Sequence, residues 1–294
     1  MVASAFKYVA ADSYDEAVRL LAEGGDEAKV LAGGQSLMPM LNLRLVRPEL
    51  LIDINTADFR EPSVADGMLR LPALTRHRVL LEHGLVRRHC PLLAHAVRHV
   101  GNVRVRNRGT VGGSLAHADP ASEIGSCALA TGAHVVVHGP GPGGDRTVPA
   151  SDLFVSYWTT TLAASEIITD VLIPVSRPRQ GWSFHEMVRR TSDFAIVAVA
   201  AMVELHEQAD TIAAARVALA GVADRVTLVG QDLLAGLAGM TGDEASADAA
   251  ARIAGSVEPP ADVHASGDYR RRLVRVLTAR ALREAFTRAA GAAA

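Results

Sequence analysis

Two stretches hold the residues from which a binding site could be built. Ala32-Gly33-Gly34-Gln35-Ser36-Leu37 follows a short apolar run, and Thr110-Val111-Gly112-Gly113-Ser114 stands before Leu115 and Ala116. Each is a glycine turn, then a small hydroxyl residue, then an apolar run that could open a helix. Glycine admits positive φ and lets backbone N–H groups come close to a ligand. A helix start adds unpaired N–H donors and the positive end of a dipole. Phosphate is the ligand such a place suits. One loop of this kind is more often only a tight turn, but two of the same design suggest a ligand with two phosphates. Neither loop is a GxGxxG fingerprint and the chain has no GxxxxGK[ST], which disfavours the common nucleotide folds of those types.

Other chemistry finds little support. His117 has no acid or nucleophile at a spacing that would make it a catalytic base, so no catalytic residue is assigned. The two cysteines, Cys90 and Cys127, are too few for a four-thiolate iron–sulfur cluster and form no CxxC pair. Nothing marks the chain as secreted, so a disulfide is not expected. No metal site is expected either. The net charge of −2 gives no reason to expect nucleic acid. Arg98, Arg104, Arg106 and Arg108 form a local basic cluster. It reads either as a solvated or ion-paired face, or as a patch near phosphates or an acidic partner. No aromatic residue interleaves with it, which places nucleic acid last. The N-terminus lacks the pattern of a signal peptide and no apolar run reaches membrane length, so the expectation is a cytoplasmic protein without membrane insertion.

The elements that must position these loops are legible in part. Ser13 with Glu16 three places on is a capping box, and Gly24-Gly25 stops its helix. Strands are expected at Phe6–Val9, Lys29–Ala32 and Leu50–Asn55, giving an α/β unit over residues 1–55. A second unit, 56–177, has strands at Gly67–Pro72, His134–His138 and Ser165–Pro174. Helices are expected from Thr75 and from Pro91, and a third with Asp119 as N-cap and Pro120 as first residue. A third unit, 178–294, has strands at Trp182–Arg190, Phe194–Leu205 and Thr211–Ala220, then helices. In the last helix Leu273, Val274, Leu277, Thr278, Ala281, Leu282 and Ala285 make one stripe at helical spacing.

Ala32-Gly-Gly-Gln-Ser36 and Thr110-Val-Gly-Gly-Ser114 resemble the two flavin-binding signatures of the FAD-binding medium subunit of molybdenum hydroxylases. This family includes the flavoprotein of aerobic carbon monoxide dehydrogenase and the FAD subunit of xanthine dehydrogenase. The resemblance spans the whole chain. It implies an α+β protein: a two-part α/β FAD-binding domain of the vanillyl-alcohol-oxidase/PCMH type, 1–55 and 56–177, then a C-terminal α+β domain with a three-stranded sheet. It implies contacts to FAD from Ala32, Gly33, Gly34, Gln35, Ser36 and Leu37, and from Thr110, Val111, Gly112, Gly113 and Ser114. Asp119 and Glu123 would lie beside the cofactor, with Glu123 a candidate for the ribityl hydroxyls. Asp193 and Phe194, within Arg189-Arg-Thr-Ser-Asp-Phe-Ala195, would approach the isoalloxazine ring.

Four positions depart from the family pattern. Ser114 replaces the usual asparagine, Val103 and Arg104 replace Pro-Gln, and Glu186 stands where lysine is frequent. Gln35 stands where some relatives have histidine, which implies non-covalent FAD. The resemblance further implies a large molybdopterin subunit and a small two-iron-two-sulfur subunit as partners, those cofactors residing only in them, and an external electron acceptor. Two other readings stay open: a self-contained FAD-dependent oxidase or dehydrogenase, and a non-redox nucleotide-binding scaffold module.

Overall fold

The computed structural model describes residues 3–141 and 143–291, apart from the side chains of Asp243 and Glu244. Three sheets organise the chain, one after another in sequence. The first is built from β1 (Lys7–Ala10), α1 (Tyr14–Gly24), β2 (Ala28–Leu31), α2 (Leu37–Asn42) and β3 (Leu50–Asp53). Its strands run parallel in the order β1-β3-β2. Ser13 caps α1 by accepting the Glu16 N–H, while the Glu16 carboxylate accepts the N–H of Asp12. Ala17, Val18 and Leu21 of α1 pack with Ile52 and Ile54 into a small core. This leaves the C-terminal end of β2 feeding directly into the first glycine loop.

The second sheet holds β4 (Ser63–Ala65), β5 (Met68–Pro72), β6 (His134–His138), β7 (Arg146–Pro149) and β10 (Ile167–Pro174) in the order β4-β5-β10-β6-β7, every pairing antiparallel. Between β5 and β6 run six helices: α3 (His77–Glu82), α4 (Gly84–His89), α5 (Pro91–Ala96), α6 (Val103–Arg108), α7 (Val111–His117) and α8 (Glu123–Thr131). Pro91 occupies the first turn of α5. A four-residue helix, α9 (Ala150–Leu153), precedes the hairpin β8 (Phe154–Ser156) and β9 (Thr159–Thr160).

The third sheet is β11 (Gln180–Met187), β12 (Val197–Leu205), β13 (Ile212–Ala220) and β14 (Thr227–Leu228), antiparallel in that order. The three expected long strands are joined by a fourth of two residues. Helices α10 (Gln231–Leu234), α11 (Gly242–Ser256) and α12 (Gly267–Ala289) follow. The whole apolar stripe of α12 is buried. Gly181 lets α12 lie close on β11, since a Cβ there would fall 1.8 Å from the Ala285 carbonyl oxygen.

Two helix starts differ from expectation. The helix expected from Thr75 begins at His77, because Arg76 is extended and bridged to Thr110 across the second loop. The helix expected from Asp119 and Pro120 begins at Glu123. Ser122 is its cap, accepting the Gly125 N–H at 2.9 Å, while the Asp119 carboxylate closes a turn on the N–H of Ala121 at 2.8 Å.

Candidate functional site

The first loop turns at Gly34, whose φ is +72°. Gln35 folds back to donate its side-chain N–H to the Gly33 carbonyl at 3.0 Å. Helix α2 then begins without a side-chain cap and runs six residues, Leu37–Asn42, with Pro39 in its first turn. Among the described residues, none of the backbone N–H groups from Gly33 to Leu37 donates a hydrogen bond within the chain. Five consecutive donors around the turn at Gly34 thus lack a partner among the described residues, as an anion nest requires.

The second loop has the same glycines but uses its donors differently. The N–H of Val111 bonds the Thr75 carbonyl at 3.0 Å, and that of Gly112 bonds Ala73 at 2.9 Å. The N–H of Gly113 is capped by the Thr110 hydroxyl at 3.2 Å, and that of Ser114 bonds the Thr110 carbonyl at 3.1 Å. The first turn of α7 is therefore satisfied internally, unlike the sequence expectation of unpaired donors at both loops. Gly112 is needed for packing, since a Cβ there would lie 2.5 Å from that of Ala73. Thr110, Val111 and Gly112 are buried, while Gly113 and Ser114 are half-exposed.

The loops meet. A Cβ on Gly33 would stand 2.4 Å from the Arg108 carbonyl oxygen and 2.8 Å from the Gly109 Cα, and one on Gly113 would approach Ala32 at 3.8 Å. Three side chains absent from the sequence-derived site hold them together. Asn55, just after β3, donates to the Ala32 carbonyl at 2.9 Å and is itself oriented by Asp53. Arg76 donates to the Asn55 side-chain oxygen and to the Arg108 carbonyl. His77 places Nε2 3.1 Å from both the Thr110 carbonyl and the Ser114 hydroxyl. Burial pushes the pKa of His77 down to about 4. It is a neutral ring that fixes the loop rather than a cation for phosphate. Ser114, though shorter than the family asparagine, is thereby anchored. These partners are 21 to 37 positions apart in sequence, with no periodic signal to reveal them.

Helix α7 spans about 10 Å by its rise per residue. At its far end Ala118 takes a left-handed φ of +53° and turns the chain into Asp119. Asp119, Asp193 and Phe194 line one cavity of about 640 Å³, together with Tyr157, Arg189 and Arg190. Phe194 is 75% exposed, an unusual cost for a phenylalanine. His117 lies 3.9 Å from Asp119, and burial lowers its pKa. Glu123 does not line this cavity. Burial, reinforced by the nearby carboxylates Glu186 and Asp119, raises its pKa to about 7. Glu186 does not line the cavity either; its Oε1 lies 3.1 Å from His99 Nδ1 and its side chain is only 7% exposed. The structure therefore brings Ala32–Leu37 together with Thr110–Ser114, and Asp119 together with Asp193 and Phe194, at the two ends of α7. No cluster of three metal-ligating side chains occurs among the described residues, both cysteines are free, and no helix there is long and apolar enough to cross a membrane.

Residues 4–176 match the family described as the FAD binding domain in molybdopterin dehydrogenase, and residues 182–285 match the CO dehydrogenase flavoprotein C-terminal domain. The chain belongs to this family of FAD-binding medium subunits of molybdenum-dependent oxidoreductases. It is 37% identical to the alpha subunit of the 6-hydroxypseudooxynicotine dehydrogenase complex of Paenarthrobacter nicotinovorans, over 97% of this chain and 95% of that one. It is 35% identical to the carbon monoxide dehydrogenase medium chain of Hydrogenophaga pseudoflava, over 99% and 100%. Among solved structures, the Hydrogenophaga pseudoflava carbon monoxide dehydrogenase superposes with a TM-score of 0.93 at 34% identity, covering 98% of this chain and 99% of that one. Quinoline 2-oxidoreductase from Pseudomonas putida 86 gives 0.90 at 34%, covering 99% of each.

Proposed function

We propose that this chain binds FAD non-covalently and works as an electron-transfer subunit. It would take electrons from the iron–sulfur clusters of a small partner, fed by a large molybdopterin subunit, and pass them to an external acceptor. The observation that carries the reading is the run of five free N–H groups at Gly33–Leu37, pressed against a second glycine loop whose N–H groups from Val111 to Ser114 are all bonded. The residues fit the cofactor. Gly33 and Gly113 let the loops close tightly, since a Cβ on Gly33 would strike the Arg108 carbonyl and one on Gly113 the Thr110 hydroxyl, and the free donors suit a pyrophosphate. When bound, the flavin supplies the redox chemistry, and the protein supplies position and electrostatics.

In this reading Gly33, Gly34, Gln35, Ser36 and Leu37 direct their N–H groups to the phosphates, with Ala32 as floor. Thr110, Val111, Gly112 and Gly113 form the wall, and the Ser114 hydroxyl is held by His77. Asp119, Asp193 and Phe194 bound the isoalloxazine end, where the exposed Phe194 ring gains an apolar neighbour. Glu123, protonated in part near neutrality, offers the ribityl chain both a donor and an acceptor. No acid–base pair is required of the protein.

The test is the visible spectrum of the purified chain before and after FAD is added and the excess removed. Flavin bands that stay with the protein, and that bleach when the reduced iron–sulfur partner is added, support the reading. A folded chain that takes up no FAD even with its partners present sinks it. Reduction of bound flavin by a small organic substrate, without partners, would favour the self-contained oxidase instead.

A further inference from the structure

Two carboxylates and a histidine from three different elements come together where the second unit packs on the third sheet. Glu186 stands near the end of β11, with a side chain only 7% exposed. Its Oε1 lies 3.1 Å from Nδ1 of His99, in the turn after α5, and this is its one ion pair among the described residues. Its Oε2 is buried and has no hydrogen-bond partner. Glu123, the first residue of α8, is half-buried and lies within electrostatic reach of Glu186, Asp119 and His99. Helix α5 packs on both α8 and β11, and this gathers the three side chains. The His99 ring is steadied by Phe184, with 5.3 Å between ring centroids.

A carboxylate oxygen enclosed without a donor is costly, and the neighbouring elements supply none. β12 sets Ala198 opposite Glu186. On α5, burial lowers the pKa of His95, reinforced by His99, Arg288 and Arg98 and opposed by Glu284 of α12. On α7, His117 is lowered by burial too, and it faces Asp119. One turn along α8, Cys127 is a buried thiol that stays neutral. Resting on the reading of the chain as an FAD-binding electron-transfer subunit, we propose that Glu123, Glu186 and His99 form a proton-holding site. The two carboxylates share one proton, loaded from solvent through His99, and hold it more firmly when the flavin is reduced.

Two carboxylates at close quarters resist carrying charge together, and one proton between them relieves this. That proton is also the donor that Glu186 Oε2 lacks. Such a pair titrates as a unit, and burial with the repulsion of its neighbours brings Glu123 to about 7. The exposures mark the route. His99 is 33% exposed, Glu186 is closed, and Glu123 opens again at the start of α8, four residues after Asp119 of the cavity. A histidine accepts and releases protons near neutrality and suits the outer position. Electrons reaching the flavin from an iron–sulfur donor add negative charge beside Glu123, and a proton bound from solvent offsets it. No bond to the cofactor forms or breaks here: the electrons come from the donor, the proton from solvent, and it ends on a carboxylate oxygen.

The experiment follows the carboxyl resonances of the full chain, isotope-labelled at glutamate, by NMR against pH, first without cofactor and then with FAD bound. Glu123→Gln identifies the resonance, and Glu82→Gln, at an exposed acid of α3, is the control. Glu123 should titrate near 7 in wild type and in the control. Glu186→Gln should move that midpoint down by ~1 pH unit, and His99→Gln should move it up by ~0.5 unit or more. The reduction potential of bound flavin should then vary less steeply with pH around neutrality in Glu186→Gln than in wild type. If Glu186→Gln does not fold, the wild-type and His99→Gln curves carry the test. A Glu123 midpoint in the ordinary carboxylate range, or one that neither variant moves, overturns the proton site. A potential with the same pH dependence in Glu186→Gln overturns its link to the flavin. A chain that takes up no FAD strikes the functional reading instead, and the titration without cofactor still decides the proton site.

Discussion

The two glycine loops share a sequence design and divide the work. In the first, five N–H groups from Gly33 to Leu37 stay free. In the second, the N–H groups of Val111, Gly112, Gly113 and Ser114 all find acceptors in Thr75, Ala73 and Thr110. A Gly-Gly followed by a hydroxyl residue does not by itself say where the donors go. What decides is the strand end beside the loop. Ala73 and Thr75 lie just beyond β5 and reach the second loop, whereas nothing in the described structure plays that part for the first.

This contrast can be broken most forcefully at Gly33. Gly33→Ala drives a methyl into the Arg108 carbonyl and forces the loops apart. FAD affinity should fall by ~100-fold or more, with ~1–3 kcal/mol of stability lost to overpacking. Gly84→Ala, where a Cβ meets nothing within 4 Å, is the control: it should leave FAD affinity unchanged and cost no stability. Equilibrium titration with FAD and urea unfolding read both effects.

Next in size is Arg76→Ala, which releases the bridge between Asn55 and Arg108. FAD affinity should drop ~10-fold through looser loops, while Arg76→Lys, lacking the planar fork that reaches both oxygens, should recover only part of it. Full recovery by lysine would show that charge rather than geometry matters.

The pH response is smaller and sharpens the comparison. His77 is neutral in the fold, its pKa lowered to about 4, so its contribution to stability is present above the ordinary histidine value near 6.5 and is lost as pH falls through 4. Glu123 has the opposite sign. Its pKa is raised to about 7, so its contribution is present below 4.5 and is lost as pH rises through 7. Between 4.5 and 6.5 the two offset. Glu123→Gln should expose a stability that climbs with pH over that window, and a denaturation series at several pH values would show it. The smallest effect is expected of Ser114→Asn, a return to the family residue. It should alter FAD affinity by ~3-fold or less, since the hydroxyl already engages His77.

Local signals were readable wherever the partner was close in sequence: the Ser13 box, Pro91 at a helix start, the stripe on α12, the glycines of both loops. The Asp119-Pro pair also looks like a helix start, yet Ser122, an equally good cap, lies three places on and takes that role. The tie made by Asn55, Arg76 and His77 could not be read, because each contact joins residues brought together only by sheet pairing. The antiparallel pairing of β10 with β5 and β6, across 100 and 30 or so positions, is hidden for the same reason.

The central claim is that the first loop receives a diphosphate, and the most direct measurement compares FAD with riboflavin, which carries the ring and ribityl chain but no phosphate. Titrations of the wild-type chain should show FAD binding at least ~100-fold more tightly, consistent with several charged hydrogen bonds, and that preference should collapse in Gly33→Ala. Equal affinity for the two flavins would contradict the account and leave the five free donors of Gly33–Leu37 without a ligand.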